Sequence, residues 1–308
     1  MSISRAFSDG FRKAGSNFKW LFLIFVIELL LVLFPGIALK NAIGDSLNHR
    51  EAATKLLQSF DQSWFDIFHH NAGGLEKTFR PEVSGSGAVL EGLDAFISGR
   101  LSQTSALLVG LGVLYLLLWT FFAGGLIARF QQNPSAQSFF ADSARYFGRF
   151  FCITFLAGIA YLLIFRILFP WLSSIVHSLT RETVDERVHF AYTVVKNLLI
   201  WLLVWSVNLI ADYAKIHIVT EELRNPLKGV GHALGFVYGH IFKTYGLYFL
   251  IGVVWIAGMV LYVWLAPGAA HAGWGMILFT FFFGQLYILW RIYLRGVFLA
   301  AQTALTEQ

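Results

Sequence analysis

The sequence predicts an all-α, polytopic membrane protein: six transmembrane helices arranged as three hairpins and accompanied by interfacial amphipathic helices. Three observations predict it. Six apolar runs, almost free of charge, divide the 308 residues. Residues of the hydrophobic class make up 57% of the chain and charged residues only 13%, about half the charge usual for a soluble domain. The mean hydropathy is +0.64. The cations also cluster on alternate connections, as they do when a chain threads a bilayer.

The spans justify themselves in order. Trp20–Leu39 comes first, after the polar-aromatic stretch Ile3–Phe18. Basic residues before an apolar run resemble a signal peptide. This run is too long, Glu28 interrupts it, and no small-x-small cleavage site follows, so a retained helix is expected. Residues 41–103 form an extracytoplasmic insert. Asp45–His70 has helical apolar spacing, Gly73–Gly87 reads as a loop and Val89–Leu101 as a second helix. The second span is Ser105–Ala128. The amphipathic stretch Ser135–Arg149 then leads into the third, Phe150–Leu172. Asn197–Ala211, the fourth, falls short of the roughly 20 residues that cross ~30 Å of hydrocarbon unless it runs past Asp212. The stretch Pro226–Lys243, with Leu227, Val230, Leu234, Val237 and Ile241 at helical spacing, precedes the fifth span, Thr244–Ala266. Ala272–Trp290 is the sixth. The chain thus divides into 1–40, the insert 41–103 and a five-helix membrane part, 104–308.

Charge sets the expected orientation. Arg5, Arg12, Lys13 and Lys19 precede the first span. Arg129, Arg145 and Arg149 lie between the second and third; Lys215, Arg224, Lys228 and Lys243 lie between the fourth and fifth; Arg291 and Arg295 close the sixth. The opposite loops are neutral or acidic, the insert holding eight acids between Asp45 and Asp94. Both termini are therefore expected in the cytoplasm. The net charge of +5 reads as this topology signal, not as a nucleic-acid surface.

A threefold pattern runs through the membrane part. Each odd span follows a polar-aromatic stretch and meets a proline near its outer end, at Pro35, Pro170 and Pro267. Each even span ends beside a cation: Arg129, Lys215, Arg295. The segment Tyr146-Phe-Gly-Arg-Phe-Phe151 parallels Val237-Tyr-Gly-His-Ile-Phe242.

A few residues stand out against the apolar background. Glu28 lies in mid-span, where a carboxylate must pair, face the bundle interior or be protonated; Arg166 on the third span is the partner nearest in depth. Asp212, at the inner end of the fourth span, has Arg291 and Arg295 at similar depth on the sixth, so an inner-end ion pair is expected. Arg145, Arg149, Lys228 and Lys243 are candidates for gripping anionic lipid headgroups. Gly124 and Gly125, and the stripe Gly231, Gly235, Gly239, are expected to let neighbouring helices approach closely. His217, His232 and His240 share one side and His69 and His70 adjoin, but no HExxH or compact HxxxH occurs, so no metal site and no cofactor are expected.

Other chemistry is absent from the motifs. There is no GxxxxGK[ST] phosphate loop and no GxSxG elbow, and one cysteine, Cys152, cannot form an intrachain disulfide. No catalytic residue is therefore expected. The segments Phe121-Phe-Ala-Gly-Gly-Leu-Ile-Ala-Arg129, Ala144-Arg-Tyr-Phe-Gly-Arg149 and Ala211-Asp-Tyr-Ala-Lys-Ile216 resemble a group of bacterial six-helix inner-membrane proteins. These are related to the membrane domain fused to some glycerophosphodiester phosphodiesterases. The resemblance covers Phe121–Leu299 and excludes the insert. The phosphodiesterase catalytic domain has no counterpart, so no catalytic residue carries over. The resemblance implies a bacterial inner-membrane location and association with lipid. The expected function is non-enzymatic: organising lipid, or serving as subunit or scaffold of a membrane complex with protein partners. The alternative is a transporter or permease subunit with a polar site near Glu28 and Arg166.

Overall fold

A computed structural model describes residues 2–47, 61–79, 106–131, 139–181, 185–266 and 274–307. Among the described residues the chain is helical throughout, with no strand. The helices are α1 (Ile3–Ser16), α2 (Phe18–Ser46), α3 (Gln62–Asn71), α4 (Ala106–Phe130), α5 (Phe139–Leu163), α6 (Phe169–Thr180), α7 (Glu186–Thr220), α8 (Pro226–Gly239), α9 (Ile241–Leu265) and α10 (Trp274–Thr306). A π-helical turn, Ile164–Leu168, joins α5 to α6, and a short 3₁₀ turn, Glu76–Thr78, follows α3.

Five helical segments among the described residues are long and apolar enough to cross a membrane: Phe18–Ser46, Val109–Phe130, Phe139–Thr180, Glu186–Thr220 and Ile241–Leu265. They carry the first five predicted spans; the described part of the sixth, from Trp274 on, lies in α10, which is not among the five. Large apolar side chains cover their outer faces. Phe34 and Trp264 are each 77% exposed, and Leu30, Leu162, Leu202, Val260 and Phe282 are exposed as well. Water does not tolerate apolar surface on this scale, whereas lipid tails solvate it. The architecture is that of a multi-pass helical membrane protein.

Several predicted boundaries move. The fourth span is the middle of a 35-residue helix, about 50 Å long, that runs through Asp212 to Thr220. The third span and the stretch before it, from Phe139 on, are one 42-residue helical segment, Phe139–Thr180. Pro35 lies inside α2, which continues to Ser46. In hydrocarbon a chain that left the helix would strand its backbone polar groups, so the helix absorbs the proline. Pro170 is absorbed differently. It has no N–H for the carbonyl of Arg166, and the π turn immediately before it widens the ladder: Phe169 N–H bonds the carbonyl of Ile164, five residues back. Pro267 and the Val89–Leu101 stretch lie outside the described residues. Of the insert, α3 is described, capped by Asp61, whose carboxylate accepts from Trp64 N–H at 3.2 Å. Trp64 and Phe68 bury themselves against each other and Phe79.

The helices sort into two compact units. The first comprises Met1–Asn17, Leu117–Gly252 and Arg295–Gln308; the second comprises Phe18–Leu116 and Val253–Leu294. Lipid removes most of the hydrophobic drive for helix association, so contacts depend on close packing and small residues. The first unit packs this way. Gly10 of α1 meets Ala301 of α10 so closely that an added Cβ would sit 2.5 Å from the alanine Cβ. Gly124 and Gly125 of α4 meet α5, where a Cβ on Gly125 would lie 2.6 Å from the carbonyl oxygen of Phe139. Phe122 stacks on Phe139 beside them. Trp201 and Trp205, which fall inside a span, pack ring to ring at 4.3 Å, and Trp205 meets Tyr248 of α9 edge-on.

The glycine stripe of α8 is displaced from its expected place. Gly231, Gly235 and Gly239 are exposed, with nothing within 4 Å of an added Cβ. The face packed on α7 is Gly229, Ala233 and Val237. A Cβ on Gly229 would lie 2.8 Å from Ile218 Cγ1 and 3.2 Å from the carbonyl oxygen of Ala214. Four-residue glycine spacing marks a face that permits close approach. The turn decides which face is presented. Here Asn225 caps α8 by accepting from Leu227 N–H at 2.9 Å, with Pro226 in the first turn, and this sets the rotation of the helix.

Candidate functional site

Three constellations bring chemistry-bearing side chains together. The first is a buried charge centre in the first unit. Asp212 sits on α7, 1% exposed, and Arg295 on α10 donates from Nη2 to Asp212 Oδ1 at 3.0 Å. Lys215, one turn along α7 and also buried, lies within the electrostatic reach of both. Tyr161 and Tyr248 feel the same two charges. Helical periodicity explains the convergence: Asn208, Asp212 and Lys215 fall at three- and four-residue intervals on one face of α7. Arg295 supplies the cation that a buried carboxylate needs, and Lys215 lies in the field of both. Arg291 is exposed, four residues before Arg295.

The second constellation surrounds the α7–α8 turn. Glu221 caps α7, its N–H bonding the carbonyl of His217 at 3.0 Å. Glu222 takes a left-handed conformation, φ 49°, and Leu223 N–H closes back on the carbonyl of Ile218. Two arginines of α5 reach this turn. Arg145 Nη2 pairs with Glu222 Oε2 at 3.2 Å, and Arg149 Nη1 donates to the carbonyl of Leu223 at 3.1 Å. These cations, expected at lipid headgroups, thus also hold a turn, while Lys228 and Lys243 are exposed. Within the turn the Glu221 carboxylate bridges two imidazoles. His217 Nδ1 lies 2.8 Å from Oε1 and His232 Nδ1 of α8 lies 2.7 Å from Oε2. His240 is turned elsewhere, its Nδ1 3.2 Å from the carbonyl oxygen of Phe236.

The third constellation is an apolar groove in the second unit. It has a volume of about 540 Å³, and its walls come from the start of α2, the second half of α9 and the middle of α10. Aromatic rings build it. Tyr262 stacks on Tyr287 at 4.2 Å and on Phe283 at 5.5 Å, and Tyr293 packs between Trp290 and Phe18. Gly258 lets the Trp290 indole lie directly against α9.

Glu28, half-buried on α2, belongs to the second unit. Arg166, exposed within the π turn, belongs to the first. Their pairing remains an expectation. Sequence reasoning reached Asp212 and Arg295 because charges at span ends are conspicuous. It passed over Lys215 and Glu221, which look like ordinary solvated residues of a cytoplasmic connection. A signal for the second constellation was present: His217 and Glu221 stand four apart at a helix end, and a capped, proline-started helix returns His232 alongside. Comparison of the chain with protein-family models, curated proteins and solved structures gave no match.

Proposed function

We propose that this is a non-enzymatic integral membrane protein that holds and organises lipid, by itself or as a subunit or scaffold of a membrane complex. The observation that carries the reading is the aromatic groove between α2, α9 and α10. It is large enough for a ligand and presents ring faces in place of hydrogen-bonding groups, as an acyl chain requires. Lys228 and Lys243 supply exposed cations for anionic headgroups, each worth about 1 kcal/mol near a charged surface, with Arg145 and Arg149 adding to them from α5.

The reading places the chain in a bacterial inner membrane, with both termini cytoplasmic and six spans laid out as three hairpins. A shared register supports the repeat. With Tyr146-Phe-Gly set on Val237-Tyr-Gly, the buried residues Asp142 and Tyr146 align with Ala233 and Val237. The buried Gly10 and Ala14 of the first stretch have the same four-residue spacing.

Mass spectrometry of lipid retained by protein purified in mild detergent tests the function. Leu286→Trp fills the rim of the groove from an exposed position, and it is expected to reduce bound lipid per protein severalfold while leaving the thermal midpoint unchanged. Equal lipid in variant and wild type rejects the reading. A second reading, a transporter or permease subunit, draws on the buried Asp212–Arg295–Lys215 centre, because ionisable groups inside a membrane bundle commonly mark solute or proton paths. Co-purification of a nucleotide-binding subunit would favour it over the lipid reading.

A further inference from the structure

We propose that His217, Glu221 and His232 form a binding site for a divalent transition ion of the Zn²⁺ class. Two imidazoles and a carboxylate are a donor set that suits such ions, and three protein ligands leave a fourth position open. One ligand atom from each residue lies within 4.8 Å of the others. Bonds of about 2.0–2.2 Å to a tetrahedral ion set its ligands about 3.3–3.5 Å apart. The two nitrogen–oxygen separations, 2.8 Å to Oε1 and 2.7 Å to Oε2, therefore need to open by about 0.5–0.8 Å, and no pair of ligand atoms, all within 4.8 Å of one another, has to close by more than about 1.5 Å. Rotation of the exposed His232 and Glu221 side chains supplies that much.

The backbone beneath the three residues is fixed before any ion arrives. His217 and Glu221 stand one turn apart at the end of α7, so their side chains share a face. Gly229 lets α8 pack directly against Ile218 and Ala214, which brings His232, three residues later, beside His217; their ring centroids are 6.2 Å apart. Arg149 holds the connecting turn through the Leu223 carbonyl, and Asn225 caps α8. Phe236 packs edge-on to His217 and limits its rotation. The His217 side chain is 12% exposed and His232 48%, so the site has a fixed inner wall and an open outer side through which an ion and a fourth ligand can enter. Without an ion the carboxylate oxygens accept hydrogen bonds from the imidazole Nδ1–H groups. On binding, each Nδ1 gives up its proton, to solvent or by a shift to the Nε2–H tautomer, and presents its lone pair to the ion.

The test uses untagged, full-length protein in detergent, stripped with chelator and titrated with Co²⁺ and then Zn²⁺. Wild type is expected to bind one equivalent of Co²⁺ with a visible d–d spectrum that Zn²⁺ abolishes. His232→Gln changes an exposed residue and is expected to keep the wild-type circular dichroism while weakening Zn²⁺ binding at least tenfold. Glu221→Gln should do the same. His240→Ala and the double variant His69→Ala/His70→Ala are expected to bind as wild type. Absence of stoichiometric binding in wild type overturns the proposal. So does equal affinity in His232→Gln, or an equal loss in His240→Ala, which would mean diffuse surface binding.

Discussion

Asp212 is the residue on which the first unit's electrostatics turn. It is buried on α7, it accepts from Arg295, and Lys215 lies within its field. Removing its charge leaves Lys215, which is buried, and Arg295, which is partly exposed, without their shared counter-ion. Asp212→Asn is therefore expected to cost about 3 kcal/mol, the low end for a broken buried pair, because Arg295 keeps a third of its side chain exposed. Asp212→Asn combined with Arg295→Met should recover part of that loss, since the second substitution removes one of the uncompensated charges. Thermal unfolding in detergent measures both. A double variant no more stable than Asp212→Asn would mean that the two side chains do not act as a pair. Asp212 was legible in the sequence as a carboxylate at the edge of an apolar run. Lys215 was counted only as a topology signal, because its burial depends on helices distant in sequence. Composition cannot reveal which end-of-span cation turns inward.

At the scale of helices, glycine is informative only together with its neighbours. Gly125 lies against the Phe139 carbonyl and the Ser143 hydroxyl, while Gly231 faces open space. Gly125→Ala must push α4 off α5 and is expected to destabilise the protein by about 1–3 kcal/mol, as overpacked contacts do. Gly231→Ala meets nothing and gains helix propensity, so it is expected to be neutral or to stabilise by up to about 1 kcal/mol. Measured side by side, the two alanines should differ in sign or differ widely in size. Equal losses would mean that α8 packs through Gly231 after all. The existence of the helices was legible from the apolar runs alone, and their ends were not. α7 outruns its apolar run at both ends because polar residues continue a helix as readily as apolar ones outside the hydrocarbon. Pro35 and Pro170 were read as outer-end marks, yet α2 passes through one, and the other follows a π turn that accommodates it within continuous helix. The face of α8 was misplaced by two residues because the cap, not the glycines, sets its rotation.

For the whole molecule, the decisive property is the mismatch between how apolar the surface is and how little of it the chain itself covers. Leu30, Leu162, Leu202 and Val260 lie on α2, α5, α7 and α9, each at least half exposed. An exposed leucine is unremarkable on its own. Rows of them along helices of 25 residues and more require a solvent that is itself apolar. The sequence conveyed this class through low charge and long apolar runs. It could not convey the aromatic groove, whose walls come from segments more than 200 residues apart in the chain. The His217–Glu221–His232 cluster was equally hidden, because it needs a turn geometry that spacing alone does not state. The most direct test of the membrane assignment uses the single native cysteine. In a Cys152→Ser background, cysteines are placed one at a time at Leu30, Leu162, Leu202 and Val260, and membranes are treated with a water-soluble maleimide before and after denaturation. All four positions are expected to resist labelling in intact membranes and to label fully once the bilayer is dissolved and the chain unfolded. Rapid labelling of these positions in intact membranes would contradict the assignment.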